Sequence, residues 1–503
     1  MLKYQGRFWL VADWPGRYIN PMNTATANSH FTPGIAPDGT DIPDPEICRQ
    51  ARLARDSRFD GEFFLAVHTT GIYCRPICPA RAPAEKNVRY YRSSAQAARD
   101  GYRPCLRCRP ESAPNSPAWQ GTATTVQRAL RPIQDGALNQ GTLAALADRL
   151  GVGERYLRKL FERELGVSPQ AIALNQRLLF ARKLLLETPL PVTDVAFAAG
   201  FGSVRRFNSA IKAQFRQTPG NLRRRPGKAG SAEGIRLQLQ YRPPYDWRGV
   251  LNFFARHTVA GIEGVAGDRY WRNLSLGGQP ARIEVCPARG RNALELSLHA
   301  ADHSMLMPIV ARVRRMFDLD ANPAAVHEAL AADPALAVLL QAYPGIRAPG
   351  SWSLFESAIR SIIGQQVSTA AARSICGRLA SATSEDPDHL VFPRASLLSA
   401  LDDSHFPMPG RRRDTLQTLC REFSGREDEL DLATLAAIRG VGPWTVAMVA
   451  MRGAGDPDVF PVRDLGLEKA WMTISDGETA LQAQTAGWRP WRSYAANLLW
   501  RSL

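Results

Sequence analysis

The sequence has 503 residues, 45% hydrophobic and 22% charged, with 63 Lys and Arg against 47 Asp and Glu and a formal charge of +16. That apolar content suffices for several packed cores and excludes a largely disordered chain, while the absence of any apolar run of about 18 residues argues against a membrane-spanning helix. The opening stretch MLKYQGRFWLVADWPGRYIN has no uninterrupted apolar segment and no small-residue cleavage site, so it does not read as a signal peptide, and eight cysteines without an export signal do not suggest a disulfide framework.

The positive charge is concentrated. Residues 123–229 carry a net +11 and residues 48–112 a net +7, leaving the remainder near neutral. Two adjacent basic segments point to a polyanion partner. Residues 1–43 are rich in Pro, Gly, Thr and Asn and read as a disordered leader, with Met22 a second candidate start. Turn-rich breaks at PESAPNSPAWQGT (110–122) and RRRPGKAGSAEG (223–234) divide the rest of the chain into a cysteine segment, a basic helical segment and a long C-terminal region.

In the cysteine segment, three residues separate Cys74 from Cys78, two separate Cys105 from Cys108, and 26 lie between the pairs. Two short-spaced pairs can each grip one tetrahedral ion from a single turn, the pattern that suits Zn2+. Cys48 lies outside it. A closed site that only holds a small domain together is one reading. The other comes from Arg75, Arg81, Arg103, Arg107 and Arg109 around the ligands. Zinc keeps thiols as thiolates, the nucleophilic form, and the arginines could hold a phosphate backbone against them. The stretch FDGEFFLAVHTTGIYCRPICPARAPAEKNVRYYRSSAQAARDGYRPCLRCRP, within 48–110, resembles the N-terminal domain of the Ada adaptive-response family. The resemblance implies that Cys74 accepts a methyl group irreversibly from a DNA methylphosphotriester, with Thr70, Arg81 and Arg103 contacting phosphate. Methylation would then change a four-thiolate zinc site from −2 to −1, relieving repulsion with a phosphate by on the order of 1 kcal/mol at about 6 Å. Repair would thereby tighten DNA binding.

The basic segment reads as two helix-turn-helix units. TLAALADRLGVGERYLRKLFERELGVSPQAI (142–172) and VTDVAFAAGFGSVRRFNSAIKAQFRQTP (192–219) carry apolar residues at three- and four-residue spacing, with Thr142 and Thr193 at expected helix starts. The joining helix QAIALNQRLLFARKLLLET and the stretch GFGSVRRFNSAIKAQFRQTPGNLR resemble the AraC-type DNA-binding domain. In such units the second helix enters the major groove. Those helices are expected at Glu154–Glu164, presenting Arg155 and Arg158, and at Ser203–Phe215, presenting Ser203, Arg205, Arg206 and Asn208. Arg reads guanine and Asn adenine.

From 234 to 320, IRLQLQYRPPYDW and NALELSLH alternate as strands do, while RGVLNFFARHTV and MLMPIVARVRRMFDL have helical spacing; from 321 the pattern is helical. LATLAAIRGVGPWTVAMVAMRG (432–453) reads as a helix-hairpin-helix in which Gly440 and Gly442 permit close backbone approach. Asp464 follows in DVFPVRDLGLEKA, where a lone Asp is also a natural helix N-cap. Residues 235–503 resemble the helix-hairpin-helix DNA glycosylases, and among them the AlkA-like 3-methyladenine glycosylases, through YRPPYDWRGVLNFFARH, FESAIRSIIGQQVS, GVGPWT, VFPVRDLGL and WRPWRSYAANLLW. The resemblance makes Asp464 the catalytic carboxylate and Trp444 and Trp491 walls of a base pocket that Phe253 would join; for any one of these aromatics, Phe253 above all, a plain core position stands open. It also puts Met448 where the family has a pocket tyrosine and Gln366 where it has a leucine wedge. A base alkylated on a ring nitrogen is already cationic, so one carboxylate can suffice to support an oxocarbenium ion and position water, once the nucleotide leaves the stack. Trp444 stands where strand-cutting glycosylases have a lysine nucleophile, so Schiff-base chemistry is not expected. Cys286, Cys376 and Cys420 are too scattered to suggest an iron–sulfur cluster. No Pro-Cys-His-Arg motif occurs, so O6-alkylguanine transfer is not expected.

The expected architecture is multidomain: a small α+β zinc domain (44–115), an all-α double helix-turn-helix domain (121–228), and an α+β glycosylase with a β-rich N-terminal subdomain (234–320) and a mostly α helix-hairpin-helix subdomain (321–503). The resemblances together imply an adaptive response to DNA alkylation in a bacterial cytoplasm at the nucleoid. Base release, methyl transfer to a zinc-bound cysteine and transcription activation would be combined in one chain. Its partners would be double-stranded DNA and, for activation, RNA polymerase. A regulator with a structural zinc site and an inactive, DNA-clamping glycosylase fold is the alternative.

Overall fold

The computed structural model of the chain describes residues 34–35, 43–105, 107–108, 110, 124–223, 234–475 and 480–503. Nearly all of the leader, most of both turn-rich breaks and Arg109 lie outside these residues. No described helix is long and apolar enough to cross a membrane.

The first module is built on a five-stranded sheet of β1 (Gly34–Ile35), β2 (Phe64–Val67), β3 (Ile72–Cys74), β4 (Val88–Tyr91) and β5 (Arg103–Pro104), in the order β1-β4-β2-β3-β5. All four residues of β2 are buried because both faces of the sheet are covered. Leu65 and Val67 pack with the cysteines and Cys48, while Phe64 and Ala66 pack with Tyr73, Tyr91 and Tyr102. Period-two alternation thus feeds two small cores. Ser93 and Gln96 form a reciprocal capping box at the Ser94–Arg99 helix.

The second module is all helical. Thr142 caps Leu143–Arg149 as expected. The cap of the second unit falls two residues earlier than expected: the helix is Val192–Ala198 with Pro191 at its cap, and Thr193 turns its hydroxyl to Asp194 instead. Proline pre-sets the backbone where its missing N–H costs nothing. The 19-residue helix Pro169–Glu187 joins the units and is buried on most sides. Its Ile172 and Ala173 belong to the core of the first unit, and Leu178, Ala181, Leu184 and Leu185 to that of the second.

The second core does not stop at the module boundary. It runs into the sheet of the third module, β6 (Ile235–Gln240), β7 (Glu263–Ala266), β8 (Arg269–Leu276), β9 (Gln279–Pro287) and β10 (Ala293–His299), antiparallel in the order β6-β10-β9-β8-β7. Strand β6 is an edge, and edges invite mispairing. Here the edge is covered: Gln238 N donates to Glu187 Oε2 at 3.2 Å, and Lys183 Nζ donates to the Gln238 carbonyl. The helices Trp247–His257 and Leu306–Met316 pack on this sheet. From Pro323 onward the described regular elements are helices. Sheet and helices are riveted by a buried network in which Arg272 meets Glu263 at 2.8 Å and Glu356 at 2.5 Å, while Arg360 meets Glu263 at 2.6 Å.

Candidate functional site

Strand β3 ends on Cys74, and Cys105 follows β5 directly, so the pairing of β3 with β5 brings the two halves of the cysteine motif together. The sulfur atoms of Cys74, Cys78, Cys105 and Cys108 all lie within 4.8 Å of one another, and Cys78 Sγ is 3.9 Å from Cys105 Sγ. Tetrahedral Zn–S bonds of about 2.3 Å place sulfurs about 3.8 Å apart, so the donor set fits Zn2+. Backbone amides support the sulfurs: Arg75 N lies 3.3 Å from Cys108 Sγ and Arg107 N 3.4 Å from Cys105 Sγ.

The arginines around the cluster divide into two kinds. Arg75 is buried; it pairs with Asp60 through Nε at 2.7 Å and through Nη2, and donates to the Cys108 carbonyl at 3.0 Å. It braces the ligand loop and does not face a phosphate, which corrects the expectation that all five arginines line a DNA surface. Arg81, Arg107 and Thr70 are exposed and Arg103 is half-buried, so these can be reached from outside. Cys74 is 8% exposed and Cys78 more open.

The helices expected to enter DNA form at Glu154–Leu165 and Val204–Phe215. The first buries Leu157, Leu160, Phe161 and Leu165, which turns Arg155 and Arg158 outward; Arg158 is held by Glu154 at 2.7 Å. Tyr156, 54% exposed between them, is a contact candidate that the charge pattern alone did not single out. In the second helix Phe207, Ile211 and Phe215 face inward, while Arg205, Arg206 and Asn208 are exposed. Ser203 is the N-cap, its hydroxyl accepting from Arg206 N at 3.3 Å. Ser203, Arg205 and Arg206 share a shallow concavity with Ser209, Ala210 and Ala213.

The hairpin runs from Leu432–Ala437 to Pro443–Val449. Gly440 has φ +94°, and a Cβ there would meet Thr415 Oγ1 at 2.1 Å, so only glycine fits; at Gly442 the space is open. Beside the hairpin, Gln366 is exposed in the left-handed conformation, φ +56°. The preceding Gln365 ties this turn to the hairpin through Thr445 Oγ1 at 2.9 Å.

Asp464 is half-buried and caps the helix Leu465–Ile474, Oδ1 accepting from Leu467 N at 3.1 Å. It is also gripped by two indoles. Trp444 Nε1 donates to Oδ2 at 3.0 Å and Trp500 Nε1 to Oδ1 at 3.1 Å. The cap and the reactive carboxylate, weighed as alternatives in the sequence, are compatible in one side chain. Met448 sits four residues after Trp444 on the same helix, hence on the same face, and is half-buried. Phe253 lies 4.4 Å beneath the guanidinium of Arg452, which also sits 5.2 Å from the Trp500 ring. Trp491 packs with Tyr494 at 5.6 Å, against the helical core. The structure therefore brings Trp444, Asp464 and, through Arg452, Phe253 together, and adds Trp500 and Arg452. Neither addition was singled out in the sequence. The available signal was a second tryptophan nine residues beyond Trp491, on the terminal helix Arg492–Arg501.

Three family models match the chain: the metal binding domain of Ada over residues 47–111, a helix-turn-helix domain over 146–225, and the AlkA N-terminal domain over 236–353. A "Probable bifunctional transcriptional activator/DNA repair enzyme AlkA" of Mycobacterium tuberculosis is 40% identical over 482 residues, covering 92% of this chain and 97% of the relative. DNA-3-methyladenine glycosylase 2 of Escherichia coli is 32% identical over 278 residues, covering 52% of this chain and 95% of the relative. The bifunctional transcriptional activator/DNA repair enzyme Ada of Escherichia coli is 41% identical over 122 residues, 24% of this chain and 33% of the relative.

Proposed function

The chain belongs to the AlkA family of bifunctional transcriptional activator/DNA repair enzymes, and from that premise we propose which of its residues carry base release, methyl acceptance and DNA recognition. It is a DNA-binding repair enzyme and regulator that carries Zn2+ and hydrolyses the N-glycosidic bond of alkylated bases of the 3-methyladenine type. The module boundaries proposed are 44–115, 121–228, 234–320 and 321–503.

Asp464 is the catalytic carboxylate. The observation that carries this reading is its double indole clamp, which fixes both oxygens of a half-buried carboxylate beside the hairpin. Hydrogen bonds from two N–H groups hold the carboxylate at a set orientation. The bond from C1′ to the base nitrogen breaks, its electron pair neutralises the cationic base, and the carboxylate faces the oxocarbenium ion that remains. Water adds to C1′, and its proton leaves through Asp464 or directly to solvent. Trp444 and Met448 line the base pocket, Phe253 supports its floor under Arg452, and Trp491 shapes its outer wall. Gln366 fills the vacated stack, while Gly440 and Gly442 let the hairpin backbone approach a phosphate.

Cys74, Cys78, Cys105 and Cys108 hold the Zn2+, which when bound keeps the thiols deprotonated at neutral pH. Cys74 attacks the methyl carbon of a methylphosphotriester; the S–C bond forms, the O–C bond breaks, and an ordinary phosphodiester leaves. Thr70, Arg81 and Arg103 hold the backbone. Arg155 and Arg158, and Ser203, Arg205, Arg206 and Asn208, read the operator. Such a protein works at the nucleoid in the bacterial cytoplasm.

Two experiments test these assignments. With alkylated duplex DNA, Asp464→Asn is expected to abolish release of 3-methyladenine while DNA affinity stays within about threefold of the parent; unchanged release would falsify the carboxylate's role. After exposure to methylphosphotriester DNA, mass spectrometry should find one added methyl on Cys74 and none in Cys74→Ser with zinc retained. An unmodified Cys74 in the parent would leave the cluster purely structural.

A further inference from the structure

The hairpin helix Pro443–Val449 continues without a break into a π-helical turn, Ala450–Ala454. Such turns widen the hydrogen-bond spacing and recur at functional sites. The two ends of this helical body set the two donors of Asp464. Trp444 lies at its start and donates directly. Arg452 lies in the π turn and packs over Trp500, which donates from the other side.

The π turn is held from several directions. Arg452 Nη1 donates to the Pro349 carbonyl at 2.7 Å, and the Arg452 carbonyl accepts from Ser351 N at 2.7 Å. Gly453 is pressed against the helix Leu354–Ile363, where a Cβ would fall 2.8 Å from Ser357 Cβ. The Gly453 carbonyl accepts from Arg131 Nη2. Arg131 does not belong to the glycosylase. It sits on Thr124–Gln134, the first helix of the double helix-turn-helix domain.

The position is expensive for a guanidinium. Burial, and then the nearby charge of Arg315, bring its pKa down to about 10, and Arg312 and Arg149 lie close as well. Asp135 partly offsets them and pairs with Arg315 at 2.7 Å. An apolar residue of similar volume commonly packs such a site at no loss of stability. Cohesion of the two modules is therefore a poor reason for a cation here, whereas a directed donor for one carbonyl is a good one.

We propose that Arg131, supplied by the regulatory domain, is a positioning residue for base excision: it caps Gly453, fixing the π turn that seats Arg452 against Trp500 and so orients Asp464. This rests on the reading of Asp464 as the catalytic carboxylate. The regulatory module and the repair site then share one element, so a shift of the first helix-turn-helix unit is transmitted to the excision rate.

The test uses the full chain and duplex DNA carrying 3-methyladenine, with single-turnover release measured at rising enzyme concentration. Arg131→Met is expected to slow the saturating rate about tenfold while the half-saturating concentration stays within twofold. Arg131→Lys, which restores a donor, should recover the rate to within threefold. Arg128→Ala, which removes only the exposed pair with Asp431 at the same interface, should behave as the parent. If Arg131→Met does not fold, as judged by near-ultraviolet circular dichroism, Arg131→Gln takes its place, being too short to reach Gly453. A parent-like saturating rate in the donor-less variant overturns the inference, as does an equal loss in Arg128→Ala. If the parent releases no base, or Asp464→Asn releases it equally fast, the carboxylate reading fails and this inference with it. Failure here alone is recognised by an active parent, an inactive Asp464→Asn and an unaffected Arg131→Met.

Discussion

The guanidinium of Arg182, wholly buried in the helix that joins the two helix-turn-helix units, donates from Nη2 to the backbone carbonyl of Cys105 at 2.7 Å. The same group lies 5.7 Å from the ring of Phe215, at the end of the second DNA-facing helix. Gln214 of that helix reaches the Tyr102 carbonyl at 3.3 Å, and Asn175 meets Ser94 at 2.9 Å. The cysteine cluster is thus seated directly on the helix-turn-helix module, at a joint through which a change of charge at the cluster would be passed on.

Arg182→Met should leave one zinc ion per chain but strand a buried carbonyl, at a cost of about 1–3 kcal/mol. The expected outcome is a lower urea midpoint for the N-terminal modules and a smaller gain in operator affinity on methylation. Titrating methylated and unmethylated protein against operator DNA measures the gain; an undiminished ratio would show that the joint transmits nothing.

Trp500→Phe keeps the ring beside Arg452 but deletes the N–H that reaches Asp464 Oδ1. A hydrogen bond to a charged group contributes about 1.5–3 kcal/mol, so excision at saturating enzyme should fall about tenfold or more. DNA affinity should hardly change. Equal losses in rate and affinity would instead make Trp500 a packing residue.

The network of Glu263, Arg272, Glu356 and Arg360 carries an acid signature. Burial alone would raise the pKa of Glu263, but Arg360 and Arg272 overcome it and lower the value from 4.5 to about 2. A depressed carboxylate contributes stability that is present above its unfolded value and lost as pH falls through the folded one. Thermal unfolding of the third module should therefore weaken between about pH 4.5 and 2. Glu263→Gln should lower the melting point at neutral pH, since it leaves a buried arginine under-compensated at a cost of about 3–5 kcal/mol, and should flatten that acid slope. A slope unchanged in the variant would assign the acid sensitivity to other groups.

Gln366 adopts a left-handed backbone at an exposed turn. Gln366→Gly relieves about 1 kcal/mol of backbone strain yet removes the side chain that would enter the stack. Melting temperature should hold or rise while excision from duplex DNA drops severalfold and excision from single strands does not. A duplex rate equal to the parent's would remove Gln366 from any role in base extrusion.

Much of this was legible in order along the chain, and for local reasons. The cysteine spacings, the three- and four-residue apolar periods and the Gly-Val-Gly hairpin each depend on residues within a few positions of one another. Such patterns survive whatever the rest of the chain does. Asp464 was visible as a cap because capping is local too. What the sequence could not supply was the company these residues keep. Nothing in the spacing of Arg75 distinguishes a buried partner of Asp60 from a phosphate contact, because Asp60 lies 15 positions earlier in the chain. Trp500 reaches Asp464 only when the last helix folds back on the one beyond the hairpin, and Arg131 meets Gly453 across 322 positions. Contacts of that range are decided by how whole elements pack, and packing sums many weak nonlocal terms that no short window of residues contains. Local chemistry therefore named the parts, and tertiary packing chose which parts touch.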